Sequence, residues 1–305
     1  MFRKLLVPLD RSPLAEQALG QAAALARASQ AEIEIVLVHQ PFPFGSFTDA
    51  SRDAQVLDQD RQYLESIAAE LISGSNVPVT PTVLRGEAIE TITQRVADAG
   101  ADLVVMTSHG RTGIAHAWFG SVAAGVLRQS TVPVLILRPV EGKTRRDAAR
   151  HLFKRILIPV DGSALSVEVF GAATSLAQCS GAQITLLRVV QPIMLLTVDP
   201  SIASVYVPAI VDEPLTKRLT EEATEQLAGV ARRLQEESHG DVETQVVVDP
   251  RIAAAIIDFA HGHHIDVIAM STHGRGMSRL FLGSVADKVL RGSELPMLLY
   301  RPTEM

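Results

Sequence analysis

The chain has 305 residues, 47% of them hydrophobic and only 4% aromatic, and a formal net charge of −6. The length is about twice that of an ordinary domain, and the acidic balance with so few rings argues against nucleic acid as a partner. The single cysteine, Cys179, closes no internal disulfide, and no apolar stretch nears the ~20 residues of a membrane helix, so a cytoplasmic protein without a membrane partner is expected.

The N-terminal apolar run is short and breaks at Pro8 and Asp10, which is no signal peptide. Residues 4–10 read as a buried strand ending in Asp10. Ser12-Pro13 follows, a good N-cap with a residue suited to the first turn, and residues 15–28 are Ala-rich with helical spacing. Residues 32–39 form strand two, residues 41–51 a loop, and residues 54–72 a helix with apolar residues on one side. Residues 77–84 are strand three, 86–99 a helix, 103–106 strand four, 121–129 a helix and 132–137 strand five. Strands alternating with helices predict right-handed crossovers and a parallel sheet covered on both faces.

The polar residues 140–151 read as a linker, after which the pattern restarts. Residues 155–161 repeat 4–10 at an offset of 151, and residues 183–190 repeat 32–39 at the same offset. His109 and His273 differ by 164, which places thirteen extra residues between strands two and three, within residues 191–215. Gly120 and Gly283 differ by 163, so the second Gly-containing loop is one residue shorter. This is a tandem duplication.

The longest repeated stretch is residues 102–121, matched by 266–284: a buried strand, a small-residue loop, then Gly-Ser opening a helix. Amides at a helix start have no intrahelical partner, and the dipole there favours an anion, so the pattern suits phosphate. Its bland reading is a tight strand-to-helix connection that uses glycine for the turn.

Val-Pro-Leu-Asp10 at the end of strand one, and Ser-His-Gly110 with nine residues before Gly120-Ser121, resemble the universal stress protein family. The resemblance covers nearly the whole chain as two domains, residues 1–140 and 152–305. It implies two tandem Rossmann-like (adenine nucleotide alpha hydrolase-like) domains, each an open five-stranded parallel sheet of order 3-2-1-4-5, with a crevice between strands one and four. It also implies that the strand-five edges of the two halves pair, making an intramolecular pseudo-dimer that could itself form a homodimer.

The resemblance further implies an adenine nucleotide, ATP foremost, with Mg2+ or Mn2+ left open. In the first half Pro8, Leu9 and Asp10 fall at the adenine contact, and Gln40 gives a backbone contact from the end of strand two. Met106 and Thr107 end strand four, with Thr107 in place of the family's first glycine. Gly110 matches the second glycine, and Gly120, Ser121 and Val122 match the phosphate-binding helix start. In the second half the matches are Pro159, Val160, Asp161, Met270, Ser271, Gly274, Gly283, Ser284 and Val285. Pro250 is read in the place of Gly86.

Other candidates read as structural. His109 and His273 are loop histidines and Cys179 is a small buried hydrophobe, while Arg111, Arg275 and Arg279 lie near the phosphate region, where pairing with phosphate and a solvated surface role stay equally open. His261, His263 and His264 mark a helix end rather than a metal site. No acid–base pair or activated nucleophile is evident, so the expected function is nucleotide sensing or regulation in stress response, with at most slow hydrolysis. The alternative is a nucleotide-free interaction scaffold, favoured by Thr107, the shorter second loop and Pro250.

Overall fold

A computed structural model of the chain describes residues 1–40, 50–109, 119–140, 142–143, 152–195, 210–238, 240–272 and 282–301. The first half runs β1 (Lys4–Leu9), α1 (Pro13–Glu16), α2 (Ala18–Ser29), β2 (Glu32–His39), α3 (Ala50–Ser75), β3 (Val79–Arg85), α4 (Ala88–Ala99), β4 (Leu103–Thr107), α5 (Ser121–Gln129) and β5 (Val134–Leu137). The second half runs β6 (Arg155–Pro159), a 3-10 turn (Ala164–Val167), α6 (Phe170–Ser180), β7 (Gln183–Val190), β8 (Met194–Leu195), β9 (Ile210–Val211), α7 (Glu213–Ser238), β10 (Val242–Val248), α8 (Ile252–Gly262), β11 (Val267–Ser271), α9 (Ser284–Gly292) and β12 (Met297–Tyr300).

Among the described residues ten strands form one sheet, β10-β7-β6-β11-β12-β5-β4-β1-β2-β3. Each half has the order three-two-one-four-five with parallel pairing. The halves meet where β12 pairs antiparallel with β5, Leu298 opposite Leu135. The inner strands are buried on both faces, so they read as continuous apolar runs, while the edge strands β3 and β10 are only partly buried and carry polar residues. One face packs α2, α3, α6 and α7 through residues such as Leu19, Leu64, Leu176 and Leu227. The other packs α4, α5, α8 and α9 through Ile92, Val126, Ile256 and Val289. Both cores run across the seam.

Two arginines staple the seam. Arg138, just past β5, donates to the Leu290 carbonyl in the last turn of α9, and Arg301, just past β12, donates to the Arg128 carbonyl in α5. A cation at a helix C-terminus meets the negative end of the dipole and satisfies carbonyls the helix leaves open.

The structure corrects the sequence reading in several places. The first helix is broken at Gln17, whose N–H turns back to Leu14 and Ala15. The buried Gln17 amide donates to the carbonyls of Val140 and Lys143 and accepts from the Val140 N–H, tying the exit of β5 to the helix. Residues 191–215, where the insertion falls, contain a short antiparallel pair, β8 with β9. α7 matches α3 at an offset of 163 and β10 matches β3 likewise, so twelve extra residues precede α7. The thirteenth lies between β10 and α8, where Asp249, Pro250 and Arg251 replace Gly86 and Glu87. Pro250 therefore belongs to an inserted residue's worth of chain, not to a simple exchange for Gly86. Gly86 itself sits at φ +144, and a Cβ there would lie 2.5 Å from the Thr91 hydroxyl. β3 and β5 also begin two residues later than read, at Val79 and Val134.

Candidate functional site

Parallel strands deliver their C-terminal ends to one edge of each half-sheet, and the crossovers leave a crevice where strand order reverses, beside strands one and four. In the second half that crevice is a cavity of about 930 Å3, within the range of small-molecule sites. Pro159 closes β6, and Val160 and Asp161 follow it; Met270 and Ser271 close β11; Gly283, Ser284 and Val285 begin α9. All eight line this one cavity. Gly274, with His273, Arg275 and Arg279, lies outside the described residues.

The cavity has two kinds of wall. Leu187, Val189, Ile252, Ile256 and Met270 present apolar side chains, a surface suited to a flat ring. Polar groups gather at the rim of the strands. Asp161 Oδ1 accepts from the Ser163 N–H at 2.8 Å and its hydroxyl at 2.6 Å, closing the turn after β6. Arg188, on β7, donates to the Val160 carbonyl at 3.3 Å. The Val160 N–H is engaged in the sheet with the Leu187 carbonyl.

Gly283 supplies no capping side chain to α9, whereas the 3-10 turn is capped by Ser163 and α4 by Glu87. The Gly283 N–H donates to the Thr272 carbonyl at 2.7 Å, which pins the loop's end, and the first amides of α9 have no partner within the helix. Ser271 lines the same cavity, 6% exposed, with a buried hydroxyl that finds no hydrogen-bond partner among the described residues. An orphaned buried hydroxyl costs about 1–3 kcal/mol, so its place on a cavity wall marks a position that a ligand can satisfy.

The first half places the same elements differently filled. Pro8 and Leu9 end β1, Met106 and Thr107 end β4, and all four are within β-strands. Asp10 follows β1 and accepts from the Ser12 N–H at 3.0 Å. Gln40 is exposed just after β2, and Ser121 and Val122 are exposed at the start of α5. Gly120 leads α5 without a capping side chain; a Cβ there would come within 2.9 Å of the Ser108 carbonyl oxygen, so this close approach of backbone requires glycine. Gly110, Arg111 and Trp118 lie outside the described residues. Thr107, unlike Ser271, spends its hydroxyl internally, donating to the His109 carbonyl at 2.7 Å. His109 is buried, and its Nδ1 lies 3.0 Å from the Ser108 hydroxyl.

Beside β1 the first half holds a charged cluster. His39, at the end of β2 and 5% exposed, has Nδ1 3.0 Å from Asp60 and Nε2 2.8 Å from Asp53. Asp60 also pairs with Arg11 at 2.6 Å, and Asp53 with Arg85 at 3.3 Å. Burial disfavours the imidazolium, but the two carboxylates more than offset it, and the His39 pKa is raised above its ordinary value.

Several lining residues were not singled out from the sequence. Gln191 was available as the repeat of Gln40 at the offset of 151. Glu222, Ala223 and Gln226 of α7 were hidden by the inserted residues, which break the register, and Arg188 by its place in an apolar strand where the first half has Leu37. Among the described residues no group of three His, Cys, Asp or Glu side chains is placed to hold a metal, and no helix is long and apolar enough to cross a membrane.

Fold and crevice define a tandem, doubly wound α/β protein. The universal stress protein family matches residues 1–138 and 152–301, and the chain belongs to that family. It is similar to the universal stress protein MJ0531 of Methanocaldococcus jannaschii, 29% identical over 152 residues, covering 50% of this chain and 84% of the relative. It is also similar to the universal stress protein YxiE of Bacillus subtilis, 31% identical over 150 residues, covering 45% of this chain and all of the relative. A crystal structure of a putative universal stress protein from Pseudomonas aeruginosa UCBPP-PA14 shares the fold at a TM-score of 0.64 and 17% identity, over 99% of this chain and 94% of that one.

Proposed function

We propose that this protein binds an adenine nucleotide, ATP as the reference ligand, in the second-half crevice, and acts through that binding as a sensor or regulator in stress response. The observation that carries the reading is the cavity itself, which brings together apolar walls for a base, an α9 N-terminus that Gly283 does not cap, for phosphate, and a Ser271 hydroxyl without a partner among the described residues. Gly283, Ser284 and Val285 supply the phosphate seat, Ser271 a hydroxyl for the sugar, and Val160 and Asp161 the edge against the base. A divalent ion, Mg2+ or Mn2+, enters on the phosphates, which supply most of its ligands themselves. The reading is of binding rather than turnover, in the cytoplasm. The working domains are residues 1–140 and 152–305, joined as an intramolecular pseudo-dimer, with a homodimer of whole chains as a further assembly.

A second reading, a nucleotide-free scaffold of the same fold, is favoured by the side chains that fill the first half beside His39. Isothermal titration of the full chain with ATP separates the two. Saturable binding that falls on the order of tenfold in Ser284→Asp supports the nucleotide reading, because a carboxylate suits the helix start but repels phosphate. No saturable binding, and no nucleotide released on denaturing the purified protein, would leave the scaffold.

A further inference from the structure

The two crevices are built from the same elements, yet the side chains that reach into them differ at matched positions. Arg11 stands where the second half has Gly162, His39 where it has Val190, and Asp60 where it has Ala223. Val190 and Ala223 line the second cavity. Their counterparts are the long or charged groups of the first-half cluster: Arg11 to Asp60 at 2.6 Å, Asp60 to His39 at 3.0 Å, His39 to Asp53 at 2.8 Å.

The backbone carries the same difference. Gly162 has φ +82, a conformation glycine takes freely, but Arg11 holds φ +66 as a non-glycine residue. That conformation is strained for an L side chain and persists only where surroundings fix it. Here the fixing contacts are the Asp60 ion pair and the Tyr63 ring, whose centroid lies 6.0 Å from the guanidinium. A guanidinium held in this way is committed to the protein's own carboxylates. The hydroxyls agree: Thr107 donates inward to His109, while Ser271 is left without a partner.

We infer that the chain holds one nucleotide, in its second half, and that the first-half crevice is closed by its own ion-pair plug of Arg11, Asp60, His39 and Asp53. This rests on the nucleotide reading above and adds which half binds and why. The plug takes the base end of the crevice, on the α3 side of the sheet, where the second half leaves room with glycine, valine and alanine. It also predicts that the difference is reversible by exchanging those residues.

The test is equilibrium titration of the full chain with ATP, read as stoichiometry. The wild-type chain is expected to bind one ATP, and Ser284→Asp to weaken that one site on the order of tenfold. The triple variant Arg11→Gly, His39→Val, Asp60→Ala carries the second-half side chains in the first half, and is expected to bind two. Two equal sites in the wild-type chain overturn the inference while leaving the nucleotide reading standing. So does a single wild-type site that keeps its full affinity in Ser284→Asp. A folded triple variant still limited to one ATP shows that these groups are not what closes the first crevice. If circular dichroism shows that the triple variant is unfolded, the wild-type stoichiometry and Ser284→Asp decide alone. No binding in any form defeats the nucleotide reading itself, a result distinct from two sites.

Discussion

Arg138 reaches across the seam to donate to the Leu290 carbonyl, at the end of a helix that belongs to the other half of the chain. Its guanidinium is largely out of water, and burial lowers its pKa from the ordinary arginine value. Its Nε is buried without a partner, so part of what the contact gains is lost again. Arg301 makes the mirrored contact from the exposed side. Arg138→Met is expected to lower unfolding stability by about 1–3 kcal/mol, because α9 loses a buried donor at its open carbonyl end. Arg301→Met should cost about 0.5 kcal/mol, as water replaces it. Urea unfolding of the two variants checks the ranking; equal effects would place the staple's worth elsewhere.

Ser271 and Thr107 give a paired prediction. Ser271→Ala removes a buried hydroxyl with no partner, so the free protein should be as stable as wild type or more so, while ATP binding weakens about two- to tenfold from one lost hydrogen bond. Thr107→Val removes a donor that the His109 carbonyl uses, and should destabilise the free protein by about 1 kcal/mol without weakening ATP binding. Thermal melts with and without ATP read both. A destabilised Ser271→Ala protein would mean that the hydroxyl has a role inside the fold.

His39 makes the first half sensitive to alkali. Its folded pKa is raised above the unfolded value by Asp53 and Asp60, against burial, with Arg11 and Arg85 on the far sides of those carboxylates. A raised pKa contributes stability that is fully present below about pH 6.5 and is lost as pH climbs through the folded value. Unfolding free energy should therefore fall on going from about pH 6 to about pH 9, and His39→Gln should flatten that slope. An unchanged slope in the variant would assign the dependence to other groups.

Glu34 acts at the opposite end of the pH scale. It is fully buried in β2, and burial alone would raise its pKa, but the Thr82 hydroxyl, Arg95 at 2.7 Å and Lys4 at 3.3 Å hold it below the ordinary value. Its contribution is present above about pH 4.5 and disappears as pH falls through the lowered folded value. Replacement by Gln leaves Lys4 and Arg95 facing a neutral amide, with an expected loss of about 3–5 kcal/mol. Acid unfolding of Glu34→Gln should be less steep than that of wild type. The second half has Thr185 at this position, so its core is built without the charge.

The alternation of strands and helices and the duplication were legible in the sequence because they depend on periodicity and on repeats that hold register over whole strands, whereas the sheet order and the seam followed from the family resemblance. Arg155 to Asp161 could be laid on Lys4 to Asp10 without a gap. The contents of the crevices were not legible in the same way. His39 and Asp60 are twenty-one residues apart on different elements, and only the packing of α3 onto β2 makes them neighbours. Ala223 could not be matched to Asp60 until the start of α7 fixed how many inserted residues precede it. Sequence spacing also put Pro250 opposite Gly86, because a single extra residue after β10 shifts the comparison. Small residues that leave a hollow carry no motif, and a hydroxyl's lack of a partner shows only in three dimensions.

The antiparallel pairing of β5 with β12 has a genetic consequence. In a symmetric pair of separate, identical chains every substitution appears twice, once on each side of the axis. Here the two sides of the axis are encoded separately, so Arg11 and Gly162 can occupy the same place in the fold and differ. Joining the halves in one polypeptide frees each to change without imposing that change on its twin.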